Sequence, residues 1–154
     1  MGYIEKNLMS GESIVYRGKL HWVVFLWPVI WFLLAIIFFT SGGDDTAAVG
    51  ALLIIIAIAT GITSFTNHKT SEFGITNKRV IVKVGFIRRT SMEVLLNKVE
   101  GIQVSQSILG RILGFGSITI SGTGGTQDPF HKIDAPLEFR KKAQEQIALV
   151  QEQR

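Results

Sequence analysis

Two different hydrophobic patterns share this chain. From Val23 to Thr40, VVFLWPVIWFLLAIIFFT, eighteen residues carry no ionisable side chain, and from Ala47 to Phe65, AAVGALLIIIAIATGITSF, nineteen more carry none. A helix needs roughly 20 mainly apolar residues to cross the hydrocarbon core, and both runs qualify with their flanks. Helices apolar all round must be buried in protein or in lipid, and too little chain remains to wrap two of them. The pattern therefore predicts membrane spans at 23–40 and 47–65, a helical hairpin over residues 23–65. Twenty-two polar or mixed residues precede the first run and a second follows at once, so the first reads as a retained anchor, not a cleaved signal.

The link between the runs, residues 41–46, is SGGDDT, too short to join anything but antiparallel neighbours. It holds Asp44 and Asp45 and no Lys or Arg. Lys6, Arg17 and Lys19 lie before the first run, and Lys69, Lys78, Arg79 and Lys83 follow the second. The positive-inside rule then places both termini in the cytoplasm of a multi-pass cell-membrane protein. Trp22 and Trp27 suit the interface, and Pro28 sits about one turn into the first span, where freed backbone groups are satisfied locally. Ala57 and Gly61 have the small-xxx-small spacing that permits close helix approach, either within the hairpin or in an oligomer. No ionisable group lies inside either span, which argues against an ion or proton path.

Residues 66–154 follow other periods. Arg79 to Val84 alternates, which predicts a strand with Val80, Val82 and Val84 inward and Arg79, Ile81 and Lys83 outward. Glu72 to Ile75 reads as the preceding strand, with a turn at Thr76-Asn77-Lys78. Gly85 leads into a strand from Phe86 to about Val94. Further strands are expected at Val99 to Ser105, Ser117 to Ser121 and Phe130 to Ile133, with a short helical or irregular piece at Ser107 to Leu113. From Pro136 the period changes. Phe139, Ala143, Ile147 and Val150 form one stripe of a helix that Asp134 is placed to cap.

The entry GESIVYRGKLHW, the hairpin ITNKRVIVKVGFIRRT, the stretch LLNKVEGIQVSQSILGRILGFGSITI and the exit IDAPLEFRKK stand in an order that resembles the bacterial pleckstrin-homology domain of the second type, the membrane-flanked family. The resemblance covers nearly the whole chain. It implies a two-helix transmembrane hairpin plus a pleckstrin-homology-like cytoplasmic domain, a bent antiparallel β-barrel with a C-terminal α-helix. The family commonly has Asn before the exit Pro, where this chain has Ala135. Within residues 1–22, the run Ser13 to Arg17 is expected to join the sheet; the competing expectation is a loose amphipathic lead-in.

The chemistry of the chain points to surfaces and not to catalysis. There is no Cys, so no thiolate nucleophile, disulfide or Cys-based zinc site. His21, His68 and His131 share no metal-ligand spacing, and neither Gly114-Phe115-Gly116 nor Gly122-Thr123-Gly124-Gly125 completes a dinucleotide fingerprint. No catalytic, cofactor or metal site is expected, and the protein is not expected to be an enzyme. Lys78, Arg79, Lys83, Arg88 and Arg89 give the hairpin a basic outer side, with Arg140, Lys141 and Lys142 on the last helix. Those five hairpin residues are the candidate site. The first reading is a domain that binds or scaffolds a membrane-associated protein, self-assembly included, as the family's exposed sheet edges imply. The alternative is orientation on, or sensing of, anionic inner-leaflet lipid headgroups. Nucleic acid is not an expected partner, because aromatics do not interleave with the basic positions.

Overall fold

A computed structural model describes residues 2–86, 90–123, 125 and 127–152. They form two compact units, one holding the chain up to His21 and from Thr70 onward, the other running from Trp22 to Lys69.

In the first unit a short helix, α1 (Tyr3–Lys6), precedes the strand β1 (Ile14–Gly18). β1 pairs antiparallel with β2 (Glu72–Thr76), β2 with β3 (Arg79–Val84), and β3 with β4 (Thr90–Leu95), so Ser13–Arg17 supplies a sheet strand from the far side of the apolar runs. A 3₁₀ turn, Leu96–Lys98, leads to β5 (Val99–Ser105). β6 (Phe115–Gly122) lies between β5 and β7 (Gln127–Asp134) in a second antiparallel sheet. The two sheets meet where the chain beyond β1 runs alongside β7: Leu20 bridges Ile133, the His21 N–H donates to the Lys132 carbonyl, and the Asp134 N–H donates to the Lys19 carbonyl. A C-terminal helix, which becomes α5 below, runs Pro136–Glu152.

The core comes from alternation on both sheets. Phe73, Ile75, Val80 and Val82 of the first face Ile118, Ile120, Phe130 and Ile133 of the second, and all are buried. Phe139 and Ala143 of the helical stripe are fully buried, with the Phe139 ring edge-on to Tyr16, while Ile147 and Val150 are half-buried. The helix does not start on Asp134. The Phe139 N–H donates to the Ala135 carbonyl, and Ala135 takes a left-handed φ of 44°. Asn tolerates that region better than Ala, which gives a physical reason for the Asn that the resemblance leads one to expect here. β4 is described from Thr90, and Phe86 lies in a bend; Ile87, Arg88 and Arg89 of the expected strand lie outside the described residues.

The second unit is a pair of helices, α2 (Leu26–Thr40), entered through a 3₁₀ turn at Trp22–Phe25, and α3 (Asp44–Thr70). Windows of each long and apolar enough to cross a membrane, Trp22–Thr40 and Asp45–Thr70, are only 17% and 11% buried. Pro28 has no N–H to donate to the Val24 carbonyl four residues back, and the Ser64 hydroxyl of α3 donates to that carbonyl instead, at 2.9 Å. Ala35 and Ala57 are buried, and a Cβ added to Gly61 would stand 3.8 Å from Pro28 Cβ, so the small spacing lets α3 seat on α2. α3 runs on to Thr70, and β2 follows after the single residue Ser71.

The short piece between β5 and β6 is a six-residue helix, α4 (Ile108–Leu113), which makes the C-terminal helix Pro136–Glu152 α5.

Candidate functional site

The β2–β3 hairpin does hold an acid, and the acid is the chain's own. Arg79 was expected on the outer face, yet it is 6% exposed. Its Nε donates to Glu12 Oε1 at 2.9 Å, its Nη2 to Glu12 Oε2 at 3.0 Å, and its Nη1 to Glu93 Oε2 at 2.5 Å. Two parallel bonds from a planar fork to one carboxylate are the strong form of this pair. The Thr76 hydroxyl donates to Glu12 at 2.7 Å, and the Met9 N–H completes the shell at 2.6 Å. Burial by itself would raise the Glu12 carboxyl; the hydrogen bonds from Arg79, Met9 and Thr76 outweigh it and hold the group below the usual carboxylate range. The same bonds hold the Arg79 guanidinium above its ordinary value. Ile81 is also fully buried, so β3 is covered on both faces, and a single inward stripe of Val80, Val82 and Val84 does not describe it.

The neighbouring cations are likewise engaged by residues 2–13. Lys78 is exposed, but its Nζ donates to the Ser10 carbonyl at 2.7 Å. Lys83 is half-buried, with its Nζ 4.6 Å from the centre of the Tyr3 ring. Asn77 ties Gly11 and Ser13 at 3.1 and 3.0 Å. Glu72 accepts from the Tyr3 and Ile4 amides at 2.8 and 3.1 Å, so a carboxylate sits on the N-terminus of α1. Beneath it Ile4 is buried against Gly74; a Cβ on Gly74 would stand 2.6 Å from Ile4 Cδ1. Glu5 closes the segment on Arg17 of β1. Of the five candidate residues, Lys78, Arg79 and Lys83 are thus brought together around the N-terminal segment. Arg88 and Arg89 lie outside the described residues.

Other surface remains open. In the order β1-β2-β3-β4 and β5-β6-β7, β4 and β5 are outer strands, and among the described residues neither has a second strand partner. Along both strands most side chains are exposed or half-exposed. A shallow cleft beside β4 is lined by Met92, Val94, Leu95, Lys98 and Thr123.

The other open surface is α4. Ser107 Oγ accepts from the Gly110 N–H at 3.1 Å to cap its start, and Gly114 in the left-handed region ends it. Gly110 is the buried residue, and a Cβ there would meet the Phe115 carbonyl oxygen at 2.6 Å. The helix lies on its glycine, so Ile108 (81% exposed), Leu109 and Ile112 (74%) turn outward. The sequence predicts a short helical piece here but not the direction in which it faces. The clue was the Gly in ILGRIL, the only residue small enough to face inward.

Among the described residues no group of His, Asp and Glu is arranged to hold a metal ion. His131 Nδ1 meets the Ser117 hydroxyl at 2.8 Å on the exposed surface, and the His21 ring packs on Phe115 at 5.3 Å. No curated protein and no solved structure gives a significant match to the chain. A family model described as "Bacterial PH domain" matches residues 22–153, which takes in the apolar helices as well as β2 to α5. With most of its length matched and two antiparallel sheets packed on a C-terminal helix, the chain belongs to the bacterial PH domain family.

Proposed function

We propose that this protein is a non-enzymatic membrane adaptor, whose PH-like unit binds a membrane-associated protein or a second copy of itself by main-chain pairing along the outer strands β4 and β5. The observation that carries this reading is the pair of unpartnered strand edges beside the cleft at Met92, Val94 and Leu95. PH domains work as binding modules, which agrees with it. The two apolar helices are the anchor: both cross the bilayer, with both chain ends on the cytoplasmic side, as the basic flanks and the acidic link favour. Their exposed Ile, Leu and Phe side chains support lipid as their surroundings.

The alternative, in which the hairpin reads anionic headgroups, loses support. Arg79 is buried on Glu12, and Lys78 and Lys83 already have partners within the chain. Photo-crosslinking side chains placed at Gln103 and Leu95, with a control at Lys141 on α5, test the adaptor in native membranes. A discrete adduct from the two edge positions and none from the control is expected, and its mass separates a second copy from another protein. Equal labelling from all three positions, or no adduct at the edges, would remove the edge-binding reading.

A further inference from the structure

The register of the strands sorts the sheet unit into two ends. At one lie the close of β1 and the opening of β2 (Gly18 with Phe73) and, across the Leu20–Ile133 bridge, the close of β5 against the opening of β6 (Ser105 with Ser117). The close of β7 and the start of α5 lie there too, since Phe115 pairs with Asp134 and the Ala135 N–H donates to the Gly114 carbonyl. Both joints to the apolar helices open at this end. The chain leaves the unit at His21, whose ring packs on Phe115 directly after α4, and it returns at Thr70, one residue before β2.

Several exposed large apolar side chains lie where α4 meets β6 and α5 begins. Ile108, Leu109 and Ile112 project from α4, and Leu137 lies in the first turn of α5; each is more than half exposed. Arg111 stands among them on α4. A single helical turn packed through its glycine, with its large side chains outward, does nothing for the core it sits on. An apolar face with a basic residue at its rim matches the interfacial zone of a bilayer, where the apolar groups sink to the acyl boundary and the guanidinium stays at headgroup level.

We infer that α4, with Leu137 at the adjoining start of α5, is an interfacial foot that inserts into the lipid surface and fixes the orientation of the PH-like unit on the membrane. The inference rests on the reading of α2 and α3 as membrane-spanning. Its ligand is lipid, and its specificity is for the apolar boundary more than for a headgroup. This differs from the headgroup reading of the hairpin in both residues and chemistry.

The chain has no Cys, so single labels are clean. Full-length protein carrying Leu109→Cys, Ile112→Cys, Thr123→Cys or Ile58→Cys would be labelled with an environment-sensitive nitrobenzoxadiazole dye. Each variant would be reconstituted in phosphatidylcholine–phosphatidylglycerol vesicles with and without lipid spin-labelled near the headgroup or deep in the chain. Ile58 reports the second apolar helix, and Thr123 the far end of the sheet unit. The inference expects blue-shifted emission at Leu109 and Ile112, quenched most by the shallow spin label, with water-like emission at Thr123. Water-like emission at Leu109 and Ile112 while Ile58 is quenched would overturn the foot and leave the spans standing. Blue-shifted but unquenched emission would also overturn it, because protein would then cover α4. An unquenched Ile58 would instead sink the spanning reading, and the foot with it.

Discussion

At the end of the sheet unit that carries the β2–β3 turn, polar groups are satisfied by one another: Thr76 and Arg79 hold Glu12, Lys78 holds Ser10, and Asn77 holds Gly11 and Ser13. Where the chain departs at His21, Ile108, Leu109 and Ile112 of α4 stand outward with no such cover among the described residues. The first end is finished for water by pairing every buried charge. The second presents an exposed apolar face. The contrast teaches that basic residues in a sequence do not by themselves mark a binding face. Here Lys78, Arg79 and Lys83 are engaged within the fold, while the exposed face of α4 is apolar.

The widest gap between the ends is expected on unfolding. Arg79→Ala leaves Glu12 buried without its counter-charge and should destabilise the sheet unit by about 3–5 kcal/mol. Glu12→Met with Arg79→Met should recover most of that loss in urea titrations, since an apolar pair in such a site is often neutral or better. Equal instability of the double variant would mean that the pair is needed for more than charge compensation.

Removing the small residue under α1 should cost less. Gly74→Ala pushes on Ile4 and is expected to destabilise by about 1–3 kcal/mol, while freeing the Tyr3 and Ile4 amides to exchange quickly. Slow exchange at those amides in the variant would show that α1 is not held through Glu72 and Ile4.

Acid acts on the same end. Glu12 has a lowered carboxyl pKa in the folded chain, so its stabilising contribution is present above the unfolded carboxylate value of about 4.3 and is lost as pH falls through the folded value. Glu12→Gln should therefore show a shallower fall in stability on acidification below about pH 4 than the parent chain. Parallel pH profiles would remove Glu12 from the account.

At the other end the effects on folding should be small. Ala135→Asn relieves a left-handed alanine and should stabilise by about 0.5–1 kcal/mol. Ile112→Ser touches no core and should shift stability by less than about 0.5 kcal/mol, although its position is the one expected to contact lipid. A large loss on Ile112→Ser would mean that α4 is packed and not presented.

Much of the fold was legible because it rests on period. Alternation gave β3, β5 and β6, the 3.6-residue stripe through Phe139 and Ala143 gave α5, and uninterrupted apolar runs gave α2 and α3. The site was less legible, because its partners are far apart in sequence. Nothing near Arg79 announces Glu12, sixty-seven positions away, and alternation cannot tell an exposed arginine from one covered by an N-terminal segment. The Ser64 bond to the Val24 carbonyl is hidden for the same reason. The outward turn of α4 depends on a glycine meeting the Phe115 carbonyl, a contact set by the chain reversal after Gly114.

The most direct test of the two-ended account is a labelling rate. Ile112→Cys and Thr123→Cys, both exposed positions of the sheet unit, would be reacted in sealed vesicles with the sheet unit facing outward, with a membrane-impermeant maleimide. The account predicts that Thr123→Cys is modified rapidly and Ile112→Cys far more slowly, with a lipid-soluble maleimide modifying both. Equal rapid modification at the two positions by the impermeant reagent would contradict it.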